Sequence, residues 1–387
     1  MVGELHVSFE NTEIAYKGKS KHDLRKAKWL FRSFDYPILL KYGPALASLG
    51  LKLGFKSLIK STIFKQFCGG ETISESETTV KELWSYKIGS IMDYSVEGAN
   101  SEASFQETCG YILETIKTSA GREEIPFAVF KTTGIMHSEL LRKKTEGEAF
   151  SATEQQAWEN GVKRFDSLCA SAHENNVRLF VDAEESWLQL AIDELTEEAM
   201  SKYNLEECII YNTVQLYRHD RLAYLKRITE NSKCKLGFKL VRGAYIEKER
   251  ERAAVKGYTD PIQKNKASSD RDYNAAVDWC LQHADRISIC IGTHNEESCR
   301  LAIKKMQELS IPKNDERVYF SQLLGMSDNI SFNLSENGYR VSKYVPFGPI
   351  DSVIPYLTRR AQENSGVAGQ MGRELQLINR ELQRRNH

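Results

Sequence analysis

Three stretches decide the fold: PFAVFKTTGI (126–135), VRLFVDAEE (177–185) and CIIYNTVQLY (208–217). Each is a short run rich in β-branched and aromatic residues that passes into polar residues. A longer segment with amphipathic, helix-like spacing separates each run from the next. Alternation of this kind is typical of βα units that build a parallel sheet. The pattern therefore predicts a repeated βα fold around these three strands.

Five further runs have the same character and bring the number of predicted strands to eight. They are SIMDYSVE (90–97), KLGFKLVRGAY (235–245), ISICIGTHN (287–295), RVYFSQLLG (317–325) and RVSKYVPF (340–347). Eight parallel strands are the number that closes a (β/α)8, TIM-like barrel. Helices are expected at 102–121 and at 151–176, where Ser151 and Glu154 form a capping-box signature. The sequence thus predicts an α/β barrel domain over residues 89–387.

Residues 1–88 lack the strand alternation and are predicted to form an N-terminal helical segment. Lys52, Lys56 and Lys60 are four residues apart and share one helix face, whereas apolar residues occupy other positions on the helix. One interpretation is a basic amphipathic helix that lies on an anionic membrane surface. The alternative is that the helices pack their apolar side on the barrel and leave the lysines in water. The sequence leaves both interpretations open.

Composition narrows the function and the compartment. Lys plus Arg and Asp plus Glu each total 53 of 387 residues, so the chain has no broad basic field and no nucleic-acid partner is expected. The eight cysteines never take the Cys-x-x-Cys spacing, which favours reduced core thiols. The N-terminus carries Glu4, Glu10 and Glu13 and resembles no targeting signal. We expect a cytoplasmic protein that is at most peripheral on the cytoplasmic face of the membrane.

Several common catalytic motifs are absent from the sequence. No GxGxxG or GxxxxGK[ST] phosphate loop occurs, which disfavours a Rossmann dehydrogenase and a P-loop enzyme. His294 has no HExxH partner and the remaining histidines are scattered, so no metal site is predicted. The hydrolase motif GxSxG is also missing. The chemistry therefore has to come from another arrangement of residues.

Polar residues follow one predicted strand after another, at the end where barrel enzymes form their active sites. They are Lys131, Asp182, Glu184, Glu185, Gln215, Arg242, Tyr245, Thr293, His294 and Asn295. Each one alone is explained equally well as a solvated loop residue or a helix cap. Their recurrence favours an active site.

The segment SVIPYLTRRAQENS (352–365) carries the densest binding signal. Arg359 and Arg360 are consecutive, and a guanidinium group binds a carboxylate through two parallel hydrogen bonds. Tyr356 and Glu363 fall three or four residues from the two arginines, so a helix brings all four to one region. The pattern predicts a small anionic substrate with an amine end, or else a surface cluster of ion pairs. It does not name the reaction.

Five motifs resemble the proline dehydrogenase family in their order and spacing. They are FKLVRGAY (238–245), GTHNEES (292–298), YFSQLLGM (319–326), KYVPFGP (343–349) and PYLTRRAQENS (355–365). The resemblance runs from residue 93 to the end of the chain. FKQFCGGETI (64–73) is similar to the segment that precedes the barrel in single-function members.

The resemblance implies a distorted (β/α)8 barrel that holds FAD without a covalent bond. The residues it assigns to FAD are Gln215, Lys239, Val241, Gly243, Ala244, Thr293, His294, Asn295 and Arg360. It assigns catalysis and the substrate carboxylate to Lys131, Asp182, Tyr245, Arg359 and Arg360. It assigns the substrate's ring pocket to Leu240, Leu323, Tyr344 and Tyr356, with Glu363 holding the arginines.

The implied reaction is oxidation of L-proline to Δ1-pyrroline-5-carboxylate, the first step of proline catabolism. Electrons would pass from FAD to a membrane quinone, and a pyrroline-5-carboxylate dehydrogenase is a possible partner. One departure concerns Lys239, because many bifunctional bacterial members have Arg at that position; Lys keeps the charge but loses the two-pronged geometry.

Other functions stay open at this point. A hydroxyproline dehydrogenase is the neighbouring alternative, although the bulk of Tyr344 favours proline because it resembles the family position that excludes a hydroxyl group. A barrel lyase that forms a Schiff base through Lys131 or Lys239, and a non-catalytic binding barrel, are alternatives of other classes.

Overall fold

The computed structural model describes residues 7–33, 54–96, 98–366 and 370–386, and for the helical residues 360–366, 370 and 371 it describes the backbone only. Eight parallel strands form a closed barrel in sequence order. They are β1 (Ile88–Tyr94), β2 (Phe127–Lys131), β3 (Arg178–Asp182), β4 (Ile210–Gln215), β5 (Leu236–Val241), β6 (Ile287–Gly292), β7 (Val318–Leu323) and β8 (Val341–Phe347). The predicted TIM-like barrel is thus confirmed, with every strand inside or overlapping its predicted run.

The predicted strands extend too far at their carboxyl ends. In β2, β3 and β5 the strand stops at Lys131, Asp182 and Val241, and the three or four residues that follow form turns or loops. After β2 the chain enters a short 3-10 turn, Thr132–Gly134. The polar and glycine residues that ended the predicted runs therefore belong to the loops, which is where barrel active sites form.

The helices alternate with the strands and also precede and follow the barrel. They are Thr12–Ala15, Lys21–Ser33, Lys56–Ile59, Lys65–Phe67, Ile73–Trp84, Glu102–Ser119, Ser138–Glu146, Ala152–Glu174, Ser186–Tyr203, Arg221–Asn231, Ile246–Lys256, Lys266–Gln282, Glu296–Glu308, Asp328–Glu336, Ile350–Gly366 and Gln370–Arg384, with a π-helical turn at Lys60–Phe64. The capping box predicted at Ser151 and Glu154 is present and starts the helix Ala152–Glu174.

By its internal contacts the chain divides into two compact units, Gly98–Ser321 and the described parts of Met1–Glu97 with Gln322–His387. Aromatic rings fill the amino-terminal end of the strands in the first unit. Phe127 stacks on Phe180 with centroids 4.3 Å apart, and Tyr211 and Tyr319 meet Phe127 edge-on. These rings form one aromatic cluster inside the sheet, whereas barrel enzymes bind their ligands at the carboxyl ends of the strands.

The second unit has its own hydrophobic cluster, which joins helices from both ends of the chain. Phe31, Phe67, Tyr356 and Leu377 are all members of this cluster and are at most 4% exposed. Arg385 donates a hydrogen bond of 2.7 Å to the backbone oxygen of Tyr16. The N-terminal helices therefore pack against the C-terminal helix Gln370–Arg384. The predicted domain boundary between residues 88 and 89 stays a prediction.

The basic helix face is partly neutralised within the same unit. Lys56 and Lys60 each place Nζ 2.8 Å from a carboxylate oxygen of Glu71, and Lys60 also lies 2.9 Å from Glu75. Lys52 lies outside the described residues. Two of the three lysines thus already have carboxylate partners, which reduces the charge available to an anionic membrane.

All eight cysteines are buried and none forms a disulfide, as the interpretation of reduced core thiols predicted. Within the part of the chain that the structure describes, no helix combines the length and the apolar character needed to cross a membrane.

Candidate active site

Five neighbouring strands of the unit Gly98–Ser321 bring most of the predicted site residues to one edge. Lys131 and Asp182 are the last residues of β2 and β3, and the strand register pairs them directly. Gln215, the last residue of β4, is paired with Val241, the last residue of β5. Because carboxyl ends of parallel strands lie at the same edge, the sequence correctly predicted that these side chains gather there.

An ion pair joins Asp182 to Lys239 at this edge. Lys239 Nζ contacts the carboxylate of Asp182, and the two side chains are only 8% and 13% exposed. Lys239 Nζ also lies 5.0 Å from the centre of the Phe180 ring. The Thr213 hydroxyl donates to Asp182 at 3.4 Å. A pair this buried is strongly coupled, because removing one partner leaves an uncompensated charge.

Glu184, which follows Asp182 by two residues, is fully buried and faces Thr133. The backbone N–H of Thr133 donates to Glu184 at 2.9 Å and its hydroxyl donates to the other carboxylate oxygen. Burial raises the pKa of Glu184 to about 7, against the lowering effect of these hydrogen bonds. Glu184 therefore joins the loop that follows β2 to the loop that follows β3.

A buried polar network supports the same loops from the helix Ser186–Tyr203. Gln189 accepts from the backbone N–H of Glu184 at 2.9 Å and donates to Asp193 at 2.9 Å. Asp193 also accepts from Asn212 of β4 at 2.9 Å and from Arg221 at 2.5 Å. This network was not identified from the sequence, because Asn212 and Arg221 reach Asp193 across 19 and 28 positions and share no motif with it.

Gln215 presents an unsatisfied polar group to the carboxyl edge of the barrel. The residue is 3% exposed, and its Oε1 has no hydrogen-bond partner among the described residues. A buried acceptor without a donor costs about 1–3 kcal/mol, so such an atom is usually completed by a ligand or water. An N–H donor on a bound cofactor suits this position.

The loop after β5 requires glycine at position 243. Gly243 has a φ of +138°, and a Cβ placed there would lie 2.4–2.5 Å from ring atoms of Tyr217. A side chain at this position would therefore be strained in its backbone and would clash with a buried ring. With the open Gln215 amide at the end of the neighbouring strand, the bare backbone of this loop is compatible with the close approach of a cofactor such as FAD.

Arg242 ties the loop after β5 to the loop after β6, a role that the sequence did not indicate. Its guanidinium group donates to Asp270 at 2.7 Å, to the hydroxyl of Thr293 at 2.9 Å and to that of Ser298 at 3.0 Å. Its guanidinium carbon lies 4.3 Å from the centre of the Tyr273 ring. Arg242 is thus occupied in holding Thr293 in place.

The residues after β6 include a helix cap. The Asn295 side chain accepts from the backbone N–H of Ser298 at 3.0 Å and begins the helix Glu296–Glu308. His294 stands between Thr293 and this cap. The interpretation of Asn295 as a helix cap is correct. This role leaves the backbone of the neighbouring residues available to bind a ligand.

Other predicted residues belong to the unit that contains both chain ends. Tyr344 is 9% exposed and its backbone oxygen accepts from Leu324 at 3.0 Å. Leu323, at the end of β7, packs against the hydrophobic cluster that includes Tyr356. Arg359 is partly exposed on the helix Ile350–Gly366, and the side chains of Arg360 and Glu363 lie outside the described ones. The helix itself forms where its sequence predicted it.

No set of three or more His, Cys, Asp or Glu side chains within the described residues is arranged to hold a metal ion.

Comparison with known proteins gives the family. Residues 76–373 match the family model described as proline dehydrogenase. A hydroxyproline dehydrogenase from Xenopus laevis is 32% identical over 413 aligned positions that span 96% of this chain and 88% of that protein. The mitochondrial proline dehydrogenase 1 of Dictyostelium discoideum is 34% identical across 87% of this chain and 67% of its own length. The human mitochondrial proline dehydrogenase 1 is 42% identical, over 64% of this chain and 41% of that protein.

Solved structures share the fold. Proline utilization A from Bdellovibrio bacteriovorus, inactivated by N-propargylglycine, superposes with a TM-score of 0.73 at 20% identity. The match covers 95% of this chain and 40% of that longer protein. The family model covers most of the chain, and the Xenopus and Dictyostelium relatives, both above 30% identity, are matched over 88% and 67% of their own length. This chain therefore belongs to the proline dehydrogenase family of flavin-dependent oxidoreductases.

Proposed function

We propose that this chain oxidises L-proline to Δ1-pyrroline-5-carboxylate with FAD as its cofactor. The observation that carries the proposal is the buried Asp182–Lys239 pair beside the open amide of Gln215, inside a region that matches the proline dehydrogenase model. A cation, an unsatisfied acceptor and a glycine loop meet at the carboxyl ends of β4 and β5. This is the edge at which barrel enzymes carry out their chemistry.

The cofactor is assigned to the loops after β4, β5 and β6. The residues proposed to hold it are Gln215, Lys239, Val241, Gly243, Ala244, Thr293, His294, Asn295 and Arg360. Gln215 Oε1 would accept a hydrogen bond, and Lys239 would favour negative charge on the bound group. Arg242 would keep Thr293 in position through its hydrogen bond to the Thr293 hydroxyl. FAD, when bound, supplies the two-electron acceptor that no amino-acid side chain provides.

The substrate carboxylate is assigned to Arg359 and Arg360, because paired guanidinium groups bind it in a defined orientation. Orientation of a reacting group contributes up to ~7–11 kcal/mol toward lowering a barrier. Glu363 would hold the arginines. The residues proposed to shape the site around the pyrrolidine ring are Lys131, Asp182, Leu240, Tyr245, Leu323, Tyr344 and Tyr356.

The ion pair has a consequence for the substrate's amine. Hydride leaves the carbon beside the nitrogen only when the nitrogen carries a free electron pair, so the amine must be neutral. Asp182 is already paired with Lys239, so it offers little net negative charge to stabilise an ammonium group. The pair therefore favours the neutral amine on which the reaction depends.

A turnover assay tests the proposal. Purified protein supplied with FAD, L-proline and a soluble quinone analogue should form a product that o-aminobenzaldehyde traps as the coloured pyrroline adduct. Arg359→Met is the matched variant, and it should bind FAD but require far more proline. Formation of no trapped product by a correctly folded, FAD-loaded protein would reject the proposal.

Hydroxyproline is the second candidate substrate, and a specific observation favours it. The hydroxyproline dehydrogenase of Xenopus laevis matches 96% of this chain. Against it stands Tyr344, whose bulk we propose excludes a hydroxyl group on the substrate ring. The ratio of kcat/KM for L-proline and trans-4-hydroxy-L-proline decides between them, and a higher value for hydroxyproline overturns our choice.

The Schiff-base alternatives receive less support from the structure. A lysine that forms a Schiff base has to be a neutral nucleophile, whereas Lys239 is ion-paired with Asp182. Borohydride treatment in the presence of substrate should therefore leave Lys131 and Lys239 unmodified. A covalent adduct on either lysine would support the lyase instead.

The electron acceptor and the partners follow from the proposed reaction. We propose a membrane quinone as acceptor and a pyrroline-5-carboxylate dehydrogenase as the enzyme that takes the product. The bifunctional proline utilization A proteins that share this fold are consistent with such a partner. Lys56 and Lys60 are already paired with Glu71. Replacing both lysines by Glu should therefore weaken binding to anionic liposomes less than it would if the two lysines had no carboxylate partner.

A further inference from the structure

We infer that Glu249 is a positioning residue that fixes the proposed cofactor loop after β5 against the loop after β3. Glu249 lies on the helix Ile246–Lys256, which begins directly after the loop residues Arg242–Tyr245. It is 0% exposed, and neither the proposed chemistry nor the core packing accounts for a carboxylate there. The inference rests on the proposed function, because it concerns residues that we assign to FAD.

Glu249 completes a helix that has no cap of its own. The helix Ser186–Tyr203 follows β3, and its cap position, Glu185, makes no side-chain capping hydrogen bond. The backbone N–H of Ser186 donates instead to Glu249 Oε1 at 2.6 Å, and the Ser186 hydroxyl donates to Oε2 at 2.5 Å. A carboxylate at a helix N-terminus also interacts favourably with the helix dipole. The cap is thus supplied from a distant part of the chain.

The contact spans the loop pair on either side of β4. Ala183–Glu185 connects β3 to the capped helix, and Arg242–Tyr245 connects β5 to the helix that carries Glu249. Tyr217, which extends from β4, fills the space beside Gly243 between them. Loss of the Glu249 contact would release both loops at once, since each leads directly into one of the two helices.

The surroundings of Glu249 make the contact strong. Burial raises the pKa of its carboxyl group, while the two hydrogen bonds from Ser186 and the positive charge of Arg218 oppose that rise. Hydrogen bonds to a buried charge are roughly twice as strong as neutral ones. Two other contacts join the same region and are weaker. The exposed Lys248 pairs at 2.9 Å with Glu185, the cap residue, and Arg252 lies over the Trp187 ring.

The test measures FAD binding by the purified apo-protein and hydrogen exchange of the two loops. Glu249→Ala should raise the Kd for FAD about tenfold, which equals ~1.4 kcal/mol. It should also speed amide exchange in peptides that cover Ser186 and residues 242–246, but not in peptides from β6. Glu249→Gln should recover most of the affinity because the amide still accepts from the Ser186 N–H. Ser186→Ala, which loses only the hydroxyl contact, should weaken FAD binding by a smaller factor.

Arg252→Ala is the control, since it removes the contact to the Trp187 ring between the same two helices and leaves the Ser186 hydrogen bonds and residues 242–245 untouched. Its FAD affinity should equal that of the unmodified protein. Unchanged FAD binding and exchange in Glu249→Ala would overturn the inference, and so would an equal loss in Arg252→Ala. If Glu249→Ala does not fold, Ser186→Ala decides: wild-type affinity and wild-type exchange of residues 242–246 would overturn it. Failure of the unmodified protein to bind FAD would count against the proposed function. Faster amide exchange of the two loops in Glu249→Ala would even then show that the Glu249–Ser186 contact holds them.

Discussion

The Asp182–Lys239 pair yields the sharpest prediction about stability. Lys239→Met keeps the length of the side chain but removes the cation that contacts the carboxylate of Asp182, which is only 13% exposed. Breaking a buried ion pair from one side costs ~3–5 kcal/mol, and the partial exposure of Asp182 places this case near the lower value. Asp182→Asn in the same protein removes the carboxylate charge that Lys239 had balanced, so the double variant should be more stable than Lys239→Met alone.

Urea unfolding of the four proteins of this cycle measures the coupling energy between the two side chains. We expect a coupling energy of about 2 kcal/mol or more, because substitutions of two residues in direct contact do not have additive effects on the free energy of unfolding. Lys239→Arg should retain most of the stability because it keeps the positive charge.

The exposed pair Lys202–Asp166, with Nζ 2.8 Å from the carboxylate and in the same compact unit, is the matched control. Its coupling should be near zero, because water already solvates both groups. Equal coupling in the buried and the exposed cycle would refute our account of Asp182 and Lys239.

The remaining predictions concern single positions. Gly243→Ala should lower FAD affinity at least tenfold through the clash with Tyr217. Gly147→Ala, also at positive φ but without neighbours within 4 Å, should leave the affinity unchanged. A titration that follows the intrinsic flavin fluorescence measures both. Arg359→Met should raise the KM for proline by two orders of magnitude or so, because a charged hydrogen-bonded contact is lost, with FAD still bound; an unaffected KM would contradict the carboxylate clamp. Glu374 is buried, and burial raises its pKa to about 7, so the folded state favours the protonated form. Its contribution to the free energy of unfolding should be fully present below about pH 4.5 and be lost as the pH rises through 7. Glu374→Gln should flatten that decline in a pH series of thermal unfolding, and an unchanged slope would show that another group is responsible. Tyr344→Ser should improve kcat/KM for trans-4-hydroxyproline relative to proline, and a constant ratio would remove Tyr344 as the determinant.

The barrel was predictable because its signal is local and repeated. A short apolar run such as 177–185 shows both the strand and, at Asp182, the point where polar residues begin. Strand parallelism then places Lys131 and Asp182 at one edge without further information, and the register confirms it. The helix with Arg359 was predictable from its sequence spacing for the same reason.

The supporting contacts were not predictable, because they join residues that are far apart in sequence. Glu249 caps Ser186 across 63 positions, and Arg242 reaches Thr293 across 51. Neither pair carries a spacing or a motif that a single sequence could reveal. The helix Gln370–Arg384 was also missed, although its docking through Glu374 to the backbone of Ser327 explains why a carboxylate is buried there.

The basic helix face with Lys56 and Lys60 shows that a pattern read from nearby residues can be changed by residues that pair with it in the fold. Lys56 and Lys60 do lie in a helical segment, which includes a π-helical turn at Lys60–Phe64. Glu71 follows that segment and pairs with both lysines. The sequence displayed the basic face but not the acidic residue that folds back onto it.

Anaerobic titration of the purified, FAD-supplied protein with L-proline tests the central claim most directly. Our account predicts a yellow protein whose flavin absorption is bleached by L-proline, and less readily by trans-4-hydroxy-L-proline. A folded protein that stays colourless after incubation with FAD, or a yellow one whose spectrum proline leaves unchanged, would contradict it.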